Sequence, residues 1–143
     1  MQDISSVALW EDLHDMLRAM RQAMMARLSA DHPAMSFWDM RVIMIVGEEP
    51  GITQKDLIAR SHMDKAQMAR LLAHVEAQGW LERAPSAQDK RVRSLQLNEA
   101  GQQLYLQLKA CRDQLASEYF GHWTPEARQL IREAVQQSRP LAG

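Results

Sequence analysis

A mainly α-helical fold carrying one small β-hairpin is what this sequence predicts, on three observations. Apolar residues recur at intervals of three and four along most of the 143 residues, the spacing of one helix face. Residues that cap helices, Ser36, Thr53, Asp64, Asn98 and Thr124, stand in front of those runs. Between residues 80 and 97 the period drops to two, the alternation of a strand. With 46% apolar and 24% charged residues the chain can bury a core of its own, which excludes disorder, collagen and low complexity.

The elements follow in order. Apolar positions 10, 13, 17, 20, 24 and 28, with Val7, Met16 and Met25 beside them, predict a long first helix between Ile4 and Leu28. Ser36-Phe37-Trp38-Asp39 has the form of a capping box and opens a second helix, which carries Met40, Ile43, Met44 and Val46 until Glu48-Glu49-Pro50-Gly51 breaks it. Thr53 and Asp64 each place a cap oxygen three residues before a polar side chain, so a short helix, a tight turn and a longer helix come next. The longer helix presents Met68, Leu71, Leu72 and Val75 and stops at Gly79, the residue type that best tolerates a left-handed conformation. Trp80–Arg83 and Val92–Leu97 read as two strands joined by the polar segment 84–90. Asn98 caps a fifth helix with its stripe at Leu104, Leu108, Cys111, Leu115 and Tyr119. Thr124-Pro125-Glu126 starts a sixth, which ends near Ser138, before Pro140.

A helix-turn-helix followed at once by a hairpin is a winged helix, whose second helix can enter the major groove of DNA while the wing follows the backbone. Charge supports that use. The total is −1, but residues 1–50 hold 4 basic and 8 acidic side chains, residues 51–97 hold 8 and 5, and residues 98–143 hold 5 and 5. The positive share is confined to the middle third, where the helix-turn-helix and hairpin lie.

Residues 51–101 resemble the multiple antibiotic resistance regulator (MarR) family of bacterial transcription factors. Gly51-Ile52-Thr53-Gln54 resembles the family's entry to the helix-turn-helix, and Asp64-Lys65 with Met68, Arg70, Leu71 and Leu72 resembles its recognition helix. Glu76–Arg83 matches the exit into the first wing strand, and Asp89-Lys90-Arg91 with Leu97 and Gly101 is similar to the wing signature. The resemblance implies one domain over 1–143, with a winged helix-turn-helix lobe at 36–97 and a helical dimerisation region at 1–30 and 98–143. It further implies a homodimer on palindromic double-stranded DNA, in the cytoplasm, that releases DNA when a small effector binds. Departures from the pattern are His62, where the family often has Gly in the turn, and Ala66 and Ala69, where Ser or Thr is common.

Candidate site residues follow from chemistry and position together. Lys65, Ala66, Gln67, Arg70 and His74 lie off the apolar stripe of the recognition helix. Gln can pair bidentately with adenine and Arg with guanine, which makes Gln67 and Arg70 candidate base readers and Lys65 a phosphate contact. Thr53 and Gln54 stand at a helix start whose free amides can hold a phosphate, although capping alone accounts for Thr53. On the wing, Asp89, Lys90, Arg91 and Arg93 are the candidates. The resemblance places Arg91 in the minor groove with Asp89 holding its guanidinium. Trp10, His14, Trp38, Arg41 and Met44 are candidates for a pocket that takes a small aromatic or phenolic acid, against the plainer reading that they are core.

Other classes have less support. The longest bulky apolar run, Val42–Val46, is far short of the roughly 20 residues a bilayer crossing needs, so no membrane partner is expected. One cysteine, Cys111, excludes an internal disulfide. Oxidant sensing through Cys111 is a variant reading, set against a thiol made inert by burial. The five histidines show no metal-ligand spacing. No nucleophile elbow, phosphate-cradling loop or paired-carboxylate motif points to an enzyme or a cofactor. A winged-helix module that binds protein rather than DNA is the runner-up, favoured by the near-neutral total charge and the two alanines.

Overall fold

The computed structural model describes residues 2–138. Its elements are α1 (Ser6–Leu28), α2 (Phe37–Glu48), α3 (Gln54–Ser61), α4 (Lys65–Ala77), β1 (Leu81–Pro85), β2 (Arg93–Leu97), α5 (Glu99–Phe120) and α6 (Pro125–Ser138). The order is the expected one. Pro140, expected just past the last helix, lies outside the described residues.

Caps fix most of the helix starts. Ser36 Oγ accepts from the Asp39 amide at 3.1 Å while Asp39 Oδ2 accepts from the Ser36 amide at 2.8 Å, a complete capping box. At Thr53 and Asp64 only the forward bond forms, to the amides of Asp56 (3.1 Å) and Gln67 (2.8 Å), and the Asp56 and Gln67 side chains stay in solvent. The first helix starts two residues later than Ile4, because the Ser5 hydroxyl accepts from the Ala8 amide at 3.1 Å and sets the first turn there.

The wing differs from expectation in two ways. Gly79 adopts φ +80° and Trp80 becomes part of the connection, so β1 begins at Leu81 and runs on to Pro85, whose missing N–H is tolerated at a strand end. The pairing with β2 is antiparallel, Leu81 opposite Leu97 and Pro85 opposite Arg93. Residues 51–53 add a third, short edge on the other side of β2. There the Gly51 amide donates to the Leu95 carbonyl (2.9 Å) and the Leu95 amide to that of Ile52 (2.8 Å). One isolated apolar residue, Ile52, carries no period to reveal such an edge.

A single core runs from Met24 and Leu28 at the end of α1, through the interior of α2, to Leu57, Met68, Leu72, Val75, Leu95 and on to Leu104, Leu108 and Leu115 of α5. Its middle is α2, where Val42, Ile43, Ile45 and Val46 are all buried, each stabilising the fold by about 1.5–3 kcal/mol. The two ends of the chain behave differently. The first half of α1 exposes Val7, Leu9, Trp10, Leu13 and Leu17, and α6 buries no residue while exposing Leu130, Ile131 and Val135. Among the described residues no helix is long and apolar enough to cross a membrane.

His62 ends α3 in the left-handed region, at φ 57° and ψ 24°, the one non-glycine residue with positive φ among those described. An L side chain is strained there by roughly 1 kcal/mol. His62→Gly is therefore expected to raise unfolding stability by up to about 1 kcal/mol in urea titrations, and a decrease would mean that the imidazole is held by a contact worth more than the strain.

Candidate nucleic-acid interface

The first half of α4 presents Lys65, Ala66, Gln67 and Arg70 to solvent while Met68 and Leu72 face the core. This is the separation of faces that the helical period requires. The helix is oriented by the His62 turn before it and the Gly79 turn after it. His74 is placed otherwise than expected. Its Nδ1 lies 2.9 Å from Asp39 Oδ1 on α2, so that ring atom is turned inward and unavailable to a base. Thr53 acts as the cap of α3, and Gln54 Oε1 accepts from Arg83 Nη1 at 3.2 Å, tying the start of α3 to β1.

At the wing tip the Ser86 amide donates to the Val92 carbonyl (2.8 Å) and the Val92 amide to that of Asp89 (3.0 Å). Asp89 Oδ1 accepts from the Arg91 amide at 3.0 Å, whereas the Arg91 guanidinium Nε is 3.9 Å away. Asp89 thus shapes the backbone under Arg91 rather than gripping its head group, and the Arg91 side chain is 94% exposed. Lys90 and Arg93 are exposed beside it. Ion pairing sorts the basic residues of this lobe. Arg60 is paired with Glu49 and Arg83 with Glu76. Lys55, Lys65, Arg70, Lys90 and Arg93 have no acidic partner within ion-pair distance among the described residues and, like Arg91, are exposed to solvent, on α3, α4 and the wing.

On the far side of α2, against α1 and α5, lies a cavity of about 440 Å³. Met20, Met24, Met40 and Met44 supply apolar, adaptable walls. Arg21, Arg41, Arg60 and Arg112 stand among its lining residues, Arg112 bonded to Glu48 at 3.0 Å and Arg21 stacked 3.9 Å over the Phe37 ring. Arg41 and Met44 are where they were expected. Trp10 and His14 are not, because they sit on the exposed first half of α1, short of the cavity. Nor is Trp38, which stands about a quarter-turn round the helix from Phe37 and borders a separate cleft with His62, Gln67 and Arg70. The aromatic wall is Phe37, and several cations replace the single one expected.

Residues 35–92 match the model of the MarR family. Over that stretch the chain is similar to MarR-family transcriptional regulators. It is 28% identical over 130 residues to the transcriptional regulator HosA of Escherichia coli, covering 91% of this chain and 96% of that protein. The fold resembles that of Streptococcus pneumoniae FabT in complex with DNA, with TM-score 0.84, 17% identity and coverage of 96% and 97%. It also resembles PcaV of Streptomyces coelicolor in complex with its natural ligand, with TM-score 0.75, 15% identity and full coverage of both chains.

Two features of this chain were not readable from the sequence. Asp39 shows up in the sequence as a capping residue, but its burial and its bond to His74 join positions 35 residues apart. Arg21, Phe37 and Arg112 of the cavity come from three helices and share no local motif. Cys111 is half-buried on α5, and burial pushes its thiol up from the ordinary value, against the smaller opposing pull of Arg27. That depletes the thiolate which reaction with an oxidant requires. Among the described residues no cluster of His, Cys, Asp and Glu has the form of a metal site.

Proposed function

We propose that this regulator works in the cytoplasm as a homodimer that binds a near-palindromic promoter site in double-stranded DNA and leaves it when a small anionic effector binds. The observation that carries the DNA reading is the exposed set Lys65, Arg70, Lys90, Arg91 and Arg93, free of acidic partners among the described residues apart from the loose Asp89 contact, on a chain of net charge −1. Lys65, Gln67 and Arg70 suit phosphates and base edges in the major groove, and Arg91 suits the minor groove. The exposed apolar faces of α1 and α6 support pairing with a second copy, since contiguous apolar surface of this kind is costly in a monomer. A two-fold dimer would set its half-sites about one helical turn, roughly 34 Å, apart.

The effector reading rests on the cavity. Its methionine and phenylalanine walls suit an apolar ring, and the arginines suit a carboxylate on it, which would compete with Glu48 for Arg112. Release requires only that the ligand favour a geometry in which the two recognition helices no longer fit the half-site spacing.

The test is a titration of the purified protein against DNA from its own upstream region at several salt concentrations. Two chains per site are expected. A dimer neutralising about six phosphates loses on the order of 10³-fold in affinity between 50 and 200 mM salt. No complex at low salt, or one indifferent to salt, would refute the reading and favour a protein-binding module.

A further inference from the structure

Asp39 is a carboxylate with 1% of its surface exposed, and DNA binding as described makes no use of it. Its two oxygens are each taken. Oδ2 accepts from the Ser36 amide at 2.8 Å and Oδ1 pairs with His74 Nδ1 at 2.9 Å. Among the described residues no Lys or Arg is paired with it, so His74, at the third turn of α4, is its one side-chain partner. Removing a carboxylate from water is costly unless its acceptors are filled, and in Asp39 both oxygens are bonded.

The geometry it fixes is that of the recognition helix. Apart from the Glu76–Arg83 ion pair, which ties the end of α4 to β1, the remaining packing of α4 is apolar, through Met68, Leu72 and Val75. Apolar packing is non-directional, whereas a hydrogen bond has a set length and angle. The Asp39–His74 bond is the one side-chain hydrogen bond between α2 and α4 among the described residues. Arg70 and Gln67 lie one and two turns before His74 on the same side of the helix, so a rotation at His74 is a rotation at both. Bidentate base contacts tolerate little of it.

We propose that Asp39 and His74 are positioning residues for DNA recognition, holding α4 at the rotation and depth at which Gln67 and Arg70 meet base edges. His74 then acts through Asp39 and not on the DNA. The pair also joins α4 to the helix whose other face, at Met40, Arg41 and Met44, walls the cavity. A displacement of α2 there would reach the recognition helix through a directional bond. This inference rests on the DNA-binding reading.

The experiment compares wild type, His74→Ala and His74→Asn on duplex DNA from the upstream region and on an unrelated duplex, across a salt series. His74→Ala is expected to lose about ten-fold or more in affinity for the upstream site, with affinity for unrelated DNA and the salt slope unchanged. His74→Asn should recover most of the loss, because its amide nitrogen can stand where Nδ1 donates to Asp39. A parallel loss on both duplexes with a slope shallower by about one would make His74 a direct phosphate contact and overturn the proposal. So would an Ala variant as selective as wild type, or an Asn variant no better than Ala. A wild type that prefers neither duplex would instead refute sequence-specific DNA binding itself, and the positioning role with it.

Discussion

Arg91→Ala is expected to lower affinity for the upstream DNA by about 10- to 100-fold, equivalent to roughly 1–3 kcal/mol, with the dimer and its helical content unchanged. The side chain is 94% exposed, so its removal takes nothing from the core and leaves no partner group unsatisfied. The bond that shapes the wing tip, from the Arg91 amide to Asp89 Oδ1, belongs to the backbone and survives the substitution. What is lost is one positive charge at the end of a hairpin, which on the proposed reading enters a narrow minor groove where A·T tracts concentrate negative potential. Binding titrations beside sedimentation of the free protein separate the two effects. Asp89→Ala should give a smaller loss, because it loosens the turn without deleting the guanidinium. Unchanged affinity in Arg91→Ala would remove the wing tip from the interface.

Helix starts were legible in the sequence because a cap is a local event: Ser36, Thr53, Asp64 and Asn98 each bond an amide three residues on. The stop at Gly79 was legible for the same reason, since it depends on the conformation of one residue. Long-range relations were not. The third edge at 51–53 exists only because β2 lies beside it, and the bond from His74 to Asp39 exists only because α2 brings Asp39 to its ring. Charge was legible as a regional excess, but which members of that excess are free depends on pairs such as Arg60 with Glu49 and Arg83 with Glu76, made by side chains brought together in the fold. The pocket residues fared worst. Trp10 and Trp38 are aromatic residues at helical spacing, and spacing alone does not reveal which face another helix will cover.

Gly101→Ala is expected to destabilise the protein by about 3 kcal/mol, the upper part of the range for overpacking, although the same change in an open helix position stabilises by roughly 0.5–1 kcal/mol. A Cβ at residue 101 would stand 2.1 Å from the Trp80 carbonyl oxygen and 3.1 Å from Leu97 Cβ. Neither neighbour is free to withdraw. The Trp80 carbonyl accepts from the Asn98 amide at 3.1 Å, Asn98 Nδ2 donates to the Gly79 carbonyl at 2.6 Å, and Leu97 is paired with Leu81 at the base of the wing. Moving α5 away breaks the Asn98 bonds, while moving residue 80 disturbs the exit from the recognition helix and the start of β1 together. DNA affinity should therefore fall with stability, although residue 101 itself is buried beside the wing base. The sign is the test. Ala100→Gly, one residue earlier on the exposed side of α5, should cost only about 1 kcal/mol by helix propensity, so the residue that prefers Gly and the one that prefers Ala are adjacent. Urea unfolding at one fixed protein concentration, needed because dimer formation shifts the midpoint, would measure both. A midpoint for Gly101→Ala at or above that of wild type would show that α5 does not approach Trp80 this closely.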